Sequence, residues 1–308
     1  MSARDQLLVV IDPVARRTDG ESVRIAKDVL SAGAAVRVCL PDGPEDFTKA
    51  LARRGTRRLV VVGDDRALLR AVGSLHRDRE LAGCALSVVP VGASQTLARG
   101  LGVPPGAVAA ARAVLEGAER RLDLLVDDSD GVVLGDLRIP PVGAAEGGGG
   151  GAGVPAGGFG AEGSTGEGAR ISARAVSRVT AGGPAEGHPW LRTCQSFVRT
   201  LASRPSRPVP GAGRGPARLR IEADGVVLVD LDQPVESVRV TTVDGGLAQV
   251  EVRPASVGAE AAPVRVRAGT VTVSGPDFRY RADAVVAGPV RTRTWTVHPL
   301  AWGLTLPR

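Results

Sequence analysis

The stretch Ser87-Val88-Val89-Pro90-Val91-Gly92-Ala93-Ser94-Gln95-Thr96-Leu97-Ala98-Arg99 has the frame of a phosphate-binding loop but few of its usual polar groups. An apolar run leads into Gly92, the hydroxyls and amide of Ser94, Gln95 and Thr96 follow, and a helical pattern begins behind them. Glycine admits positive φ and adds no bulk, so such a junction can aim backbone N–H groups at an anion. Two further clusters follow apolar runs in the same way: Asp12-Pro13-Val14-Ala15 and Gly63-Asp64-Asp65-Arg66. Other chemistry finds little support. Cys39, Cys84 and Cys194 lack metal or disulfide spacing and read as isolated thiols in or near cores. His76, His188 and His298 are too scattered for a zinc site or a histidine-based triad.

The elements that must position these clusters alternate. Residues 6–11, 35–40, 58–63, 85–90 and 122–126 read as strands, and stretches such as 21–32 and 105–116 have helical spacing. That alternation predicts a doubly wound, mostly parallel sheet with helices on its faces. Ligands of such sheets sit beyond the carboxyl ends of the strands, where all three clusters fall.

Beyond residue 127 the character changes. Residues 143–169 hold 13 glycines in 27 positions, too little side-chain surface for a core, and read as a linker or expanded loop. From Arg170 to Arg220 ten arginines face one acid, Glu186, so this stretch accounts for more than the whole net charge of +6. It reads as a solvated connector, with an anionic membrane surface as the functional alternative. Only Trp190 and Phe197 are at hand for stacking, so nucleic acid is not expected as a partner. From 219 onward the period is two. Asp224-Gly225 and Asp244-Gly245-Gly246 punctuate it as hairpin turns, predicting an antiparallel, sandwich-like β domain. Trp295 and Trp302 are its expected core anchors, with His298 packed beside Trp295. The organisation expected is thus 1–127, an α/β domain; 128–218, linker; and 219–308, the β domain. No apolar run approaches the roughly 18 residues of a membrane span, and the N-terminus lacks signal-peptide features, so a cytoplasmic location is expected, with peripheral attachment to the inner membrane surface as a variant.

The ordered set of motifs resembles the diacylglycerol kinase catalytic family, the bacterial lipid kinases related to sphingosine and NAD kinases. Asp12-Pro13-Val14-Ala15 stands where the family has Asn-Pro-x-Ser/Ala-Gly, and Val62-Gly63-Asp64-Asp65-Arg66 where it has Gly-Gly-Asp-Gly-Thr. Pro90 to Arg99 stands for Pro-x-Gly-Thr-Gly-Asn-Asp-Phe/Leu-Ala-Arg. Leu101-Gly102-Val103-Pro104 and Arg120-Arg121-Leu122-Asp123-Leu124 are similar to the family's Leu-Gly-Ile-Pro and Arg-x-Ile-Asp-Leu. The closing stretch from Ser274 through Asp283 to Trp302-Gly303-Leu304-Thr305-Leu306-Pro307 is similar to its last strands. The resemblance implies transfer of the γ-phosphate of ATP, with Mg²⁺, to a hydroxyl of diacylglycerol or a related lipid. It implies nucleotide contacts at Asp12, Gly63, Asp64, Arg66, Gly92, Ser94 and Gln95, with Asp283 as the base.

The departures fall on that chemistry. Val62 and Asp65 replace two glycines of the first turn, Arg66 its threonine, and Thr96 an aspartate; of the family's Asp-Gly-Glu only Asp283 remains. A carboxylate at 65 about 4 Å from a phosphate charge would cost about 4 kcal/mol at an effective dielectric near 20. A positive-φ turn there would add roughly 1–2 kcal/mol. Weak nucleotide binding is expected. A catalytically inactive relative that binds nucleotide, lipid or a protein partner is the alternative to a lipid kinase homologue. Asp64 and Asp65 would equally suit a plain helix start, where aspartate is favoured without any ligand.

Overall fold

In the computed structural model, which describes residues 6–141, 216–243, 245–255 and 262–308, the apolar runs become buried strands and the stretches between them helices. Strands β1 (Gln6–Ile11), β2 (Ala35–Cys39), β3 (Arg58–Gly63) and β4 (Ala85–Pro90) form a parallel sheet in the order β4-β3-β1-β2. Leu7 to Val10 and Leu59 to Val62 are all fully buried, as expected for strands covered on both faces. The helices are α1 (Pro13–Thr18), α2 (Gly20–Gly33), α3 (Pro44–Ala52), α4 (Asp65–Arg77), α5 (Thr96–Gly100) and α6 (Ala107–Glu116). Local chemistry starts them. Asp12 and Asp19 cap α1 and α2, and Asp64 caps α4, with Pro13 and Pro44 in first-turn positions where a missing N–H costs nothing.

Strand β5 (Ala118–Asp127) departs from expectation. It does not extend the parallel set but runs antiparallel to β15 (Val285–Leu306), and it is β15 that pairs in parallel with β4 through Gly303 and Leu304. Trp302 therefore belongs to the α/β core, whereas Trp295 belongs to the β core; both are fully buried. His298 is exposed rather than packed beside Trp295, because Trp295 and Val297 face the core and His298 alternates to the other face; just beyond it the pairing of β15 with β5 is irregular and Leu300 adopts φ of 49°. Asp123 holds this irregularity, accepting from the N–H groups of Leu300 (2.7 Å) and Gly246 (2.8 Å).

The β part also contains β6 (Val132–Val133), β7 (Asp136–Ile139), β8 (Ala217–Arg218), β9 (Arg220–Ala223), β10 (Val226–Val229), β11 (Pro234–Val243), β12 (Leu247–Pro254), β13 (Val264–Ala268) and β14 (Thr270–Ala282). Their main order is β13-β12-β11-β7-β14-β15, all antiparallel. Residues 132–133, 136–139 and 217–218, within the stretch assigned to a linker, thus form strands. The glycine-rich run and most of the arginine-rich run lie in 142–215, outside the described residues, as do Cys194, His188, Trp190 and Phe197. Asp224 and Gly225 both have positive φ, 48° and 79°, the geometry of the hairpin turn that their sequence announced. The described strands on both sides of β15 fall in one unit, residues 1–146 with 215–308.

At the end of β5, Asp127 is nearly buried. One of its oxygens accepts from Ser129 N (2.8 Å), Ser129 Oγ (2.7 Å) and Gly131 N (2.8 Å), and the other from Tyr280 Oη (3.3 Å). Tyr280 stands edge-on to Trp295 with ring centroids 5.2 Å apart. Burial pushes the Asp127 carboxyl up, but the donors from Ser129 and Gly131, with Arg293 nearby, outweigh it and hold the carboxyl below its ordinary range.

Trp302→Ala should cost about 3–5 kcal/mol in urea denaturation, the range for emptying a large buried aromatic site. A depressed carboxyl stabilises the fold above its unfolded pKa and loses that contribution as pH falls through the folded value. The stability of the native chain should therefore drop as pH falls below the ordinary aspartate value of 3.8, and Asp127→Asn should flatten that acid limb while lowering neutral-pH stability by about 1–2 kcal/mol.

Candidate functional site

The three polar clusters come together at the carboxyl ends of β1, β3 and β4. Gly63 is held in place by packing: a Cβ there would lie 2.6 Å from that of Ala67 and 3.0 Å from that of Asp12. Gly92 has φ of 114°, and a Cβ on it would stand 3.3 Å from that of Asp64. Val62 points into the core and is fully buried, so its replacement of glycine puts no side chain into the site.

Each carboxylate in this region is already engaged. Asp12, 2% exposed, accepts from Val14 N (2.9 Å) with one oxygen and from Arg70 Nη1 (2.8 Å) with the other, tying α1 to α4. The Arg70 guanidinium also lies over the Phe47 ring, 5.3 Å from its centroid. Asp64 Oδ1 accepts from the N–H groups of Arg66 (3.0 Å) and Ala67 (3.1 Å) and so caps α4. Arg66 itself is exposed.

Asp65 corrects the sequence reading most. It is the first residue of α4 and is not among the positive-φ residues, so the strain expected of a non-glycine there does not arise. Its side chain is 2% exposed and turned toward the second loop. Oδ2 accepts from Ser94 Oγ (2.8 Å) and Leu97 N (3.0 Å), Oδ1 from Ala98 N (3.1 Å), and the Asp65 N–H donates to Ser94 O (2.9 Å). The donors at the start of α5 thus point at a carboxylate of the chain itself. Gln95 Nε2 donates to Gly92 O (2.9 Å), closing the rest of the loop.

Asp283 sits in the turn between β14 and β15 with φ of 49°. It is not a solvated strand end. One carboxylate oxygen accepts from Leu134 N (2.7 Å), the other from Gly135 N (2.8 Å) and Asp136 N (2.9 Å). Burial raises its pKa, and the three backbone donors only partly offset that. A cavity of about 540 Å³ separates the two loops from the β wall, with Asp65, Ser94 and Thr96 on one side and Asp283 with Asp136, Arg138, Arg239 and Arg281 on the other. Asp136 and the three arginines went unnoticed in the sequence. They sit on three strands far apart along the chain, and only the alternation of Asp136 and Arg138 within one strand marks any of them locally.

A family model for the diacylglycerol kinase catalytic domain matches residues 6–126. These residues are similar to the diacylglycerol kinase catalytic domain. Solved structures are similar to this chain in fold. One, from Bacillus anthracis str. Sterne and provisionally named a diacylglycerol kinase, has a TM-score of 0.63 at 14% identity, covering 99% of this chain and 98% of that one. Another from that source, titled as a diacylglycerol kinase, gives the same score and coverage at 12% identity. No curated protein matches the sequence significantly.

The nucleotide and Mg²⁺ that similarity to the diacylglycerol kinase family implies do not fit the residues present. Asp65 takes the Ser94 hydroxyl and the Leu97 and Ala98 N–H groups of the second loop, one oxygen of Asp64 caps α4, and no group of three metal-ligating side chains occurs among the described residues. No phosphoryl-transfer step follows from this arrangement. Asp65→Ala should leave the Leu97 and Ala98 N–H groups unpaired and lower stability by about 2–3 kcal/mol; a thermal midpoint equal to that of the native chain would mean that the carboxylate contributes nothing to the loop.

Proposed function

We propose that this chain is a member of the diacylglycerol kinase family that binds a ligand in the inter-loop cavity without transferring a phosphoryl group to it. The observation that carries this reading is the Asp65 carboxylate on the Leu97 and Ala98 N–H groups and the Ser94 hydroxyl. A carboxylate held by two backbone N–H groups and a hydroxyl brings its own negative charge to the loop, and a phosphate there meets occupied donors and repulsion. The Asp283 carboxylate supports the same reading, since three backbone donors turn it toward residues 134–136.

A lipid kinase acting on diacylglycerol with ATP and Mg²⁺ is the second reading. Its support is the similarity of residues 6–126 to the family's catalytic domain, together with Gly63, Asp64 and Gly92 retained at their positions in the motifs. No helix among the described residues is long and apolar enough to cross a membrane; a cytoplasmic or peripheral location accords with either reading.

Calorimetric titration with MgATP separates them. The native chain should show no saturable binding at millimolar nucleotide and no transfer of labelled γ-phosphate to short-chain diacylglycerol in mixed micelles. Asp65→Gly, checked for folding by circular dichroism, should gain measurable nucleotide binding by freeing the loop donors. Turnover by the native chain would overturn the proposal.

A further inference from the structure

The β wall of the cavity carries a row of three arginines. Arg281 on β14 is directly opposite Arg138 on β7, and Arg138 is directly opposite Arg239 on β11. Directly opposed residues of antiparallel strands project from the same face with Cβ atoms about 4.5–5.5 Å apart, and like charges so placed destabilise the sheet. All three line the cavity. One carboxylate serves the row: Asp136 Oδ2 accepts from Arg138 Nε at 2.6 Å and lies 3.4 Å from Arg239 Nε. The next acid along the sheet, Glu251, is opposite Arg239 but takes Arg253 and Arg265 instead. Arg281 has no acidic partner among the described residues, and its Nε is buried without a hydrogen-bond acceptor.

The remaining acids of the cavity do not neutralise the row. Asp65 and Asp283 each accept three hydrogen bonds from the loops around them, and neither forms an ion pair with an arginine of the wall. The wall thus presents three guanidinium groups and one carboxylate to a cavity large enough for a small organic ligand. An orphaned buried donor and unbalanced charge at one place are relieved together by an oxyanion with several acceptor atoms, which guanidinium forks bind through paired N–H groups.

We propose that Arg138, Arg239 and Arg281 form a binding subsite for a phosphate monoester, so that the ligand of this cavity already carries a phosphate rather than being a neutral diacylglycerol. The site lies on the β wall, across the cavity from the loop that Asp65 closes. It names the ligand for the binding reading above and rests on that reading only in using the same cavity. Thr241 and Thr242, also on β11 and lining the cavity, offer hydroxyls beside the row.

The test is calorimetry on the full chain with inorganic phosphate, glycerol 3-phosphate and short-chain phosphatidate below its micellar concentration, with short-chain diacylglycerol as the neutral control. At least one phosphate compound should bind saturably, and the neutral lipid should not compete with it. Comparable affinity for glycerol 3-phosphate and phosphatidate identifies a soluble phosphate ester, and roughly tenfold tighter phosphatidate binding identifies a lipid headgroup. R281Q and R138Q should each weaken binding by roughly tenfold or more, the loss of one charge-assisted contact. R24Q, on the distant surface of α2, should leave it unchanged. As a second readout, the phosphate ligand should raise the melting temperature of the native chain and not that of R281Q. Absence of saturable binding by all three phosphates, or equal loss in R24Q and R281Q, overturns the assignment. No arm contains nucleotide, so this outcome and that of the MgATP titration are independent.

Discussion

The antiparallel pairing of β5 with β15 is the constraint on which the rest of the molecule depends. Over 22 residues β15 passes from one hydrophobic core into the other, placing Trp295 in the first and Trp302 in the second. Its last residues pair with β4, where the buried Ser87 Oγ donates to Thr305 Oγ1 at 2.9 Å. The turn that precedes it carries Asp283, whose carboxylate fixes residues 134–136 and so the near end of β7. The cavity between the loops and the β wall therefore owes both of its sides to one strand. Displacing β15 would separate the phosphate-type loops from the arginine row without breaking a bond within either.

A single physical device recurs through the site: an aspartate carboxylate collecting backbone N–H groups. Asp64 and Asp12 use it at helix starts, Asp127 and Asp283 at turns, and Asp65 across two loops. Each such bond satisfies a backbone donor that a turn or helix start would otherwise leave without a partner. The same bonds fix where these carboxylates point, toward the chain's own backbone.

Much of the fold was legible because its signals are local. The alternation of apolar runs with helical stretches gave the parallel strands nearly to the residue, and Asp224-Gly225 gave a hairpin through its two positive φ angles. What escaped depends on pairing at long range. Trp302 was assigned to the wrong core because nothing near it marks the return of β15 to β4. The role of Asp65 was missed because its partners lie some thirty residues away, and a carboxylate replacing glycine invites a reading of repulsion toward a ligand rather than attraction to the chain's own amides. The opposite possibility, a plain helix start, was visible for Asp64 and is the geometry observed. The arginine row is invisible in sequence, since it exists only once β14, β7 and β11 lie side by side.

The path of β15 also bears on how the chain is made. The first four strands and their helices emerge from the ribosome long before residues 285–306, and at 5–20 residues per second the interval is on the order of ten seconds or more. During that time β4 has an uncovered edge, with Ala85 and Leu86 in place to pair but no strand to receive them. Open strand edges of apolar sequence are templates for association with other chains. The nascent α/β half thus spends its early life in a state that the finished protein never visits, one in which chaperone shelter matters more than intrinsic stability.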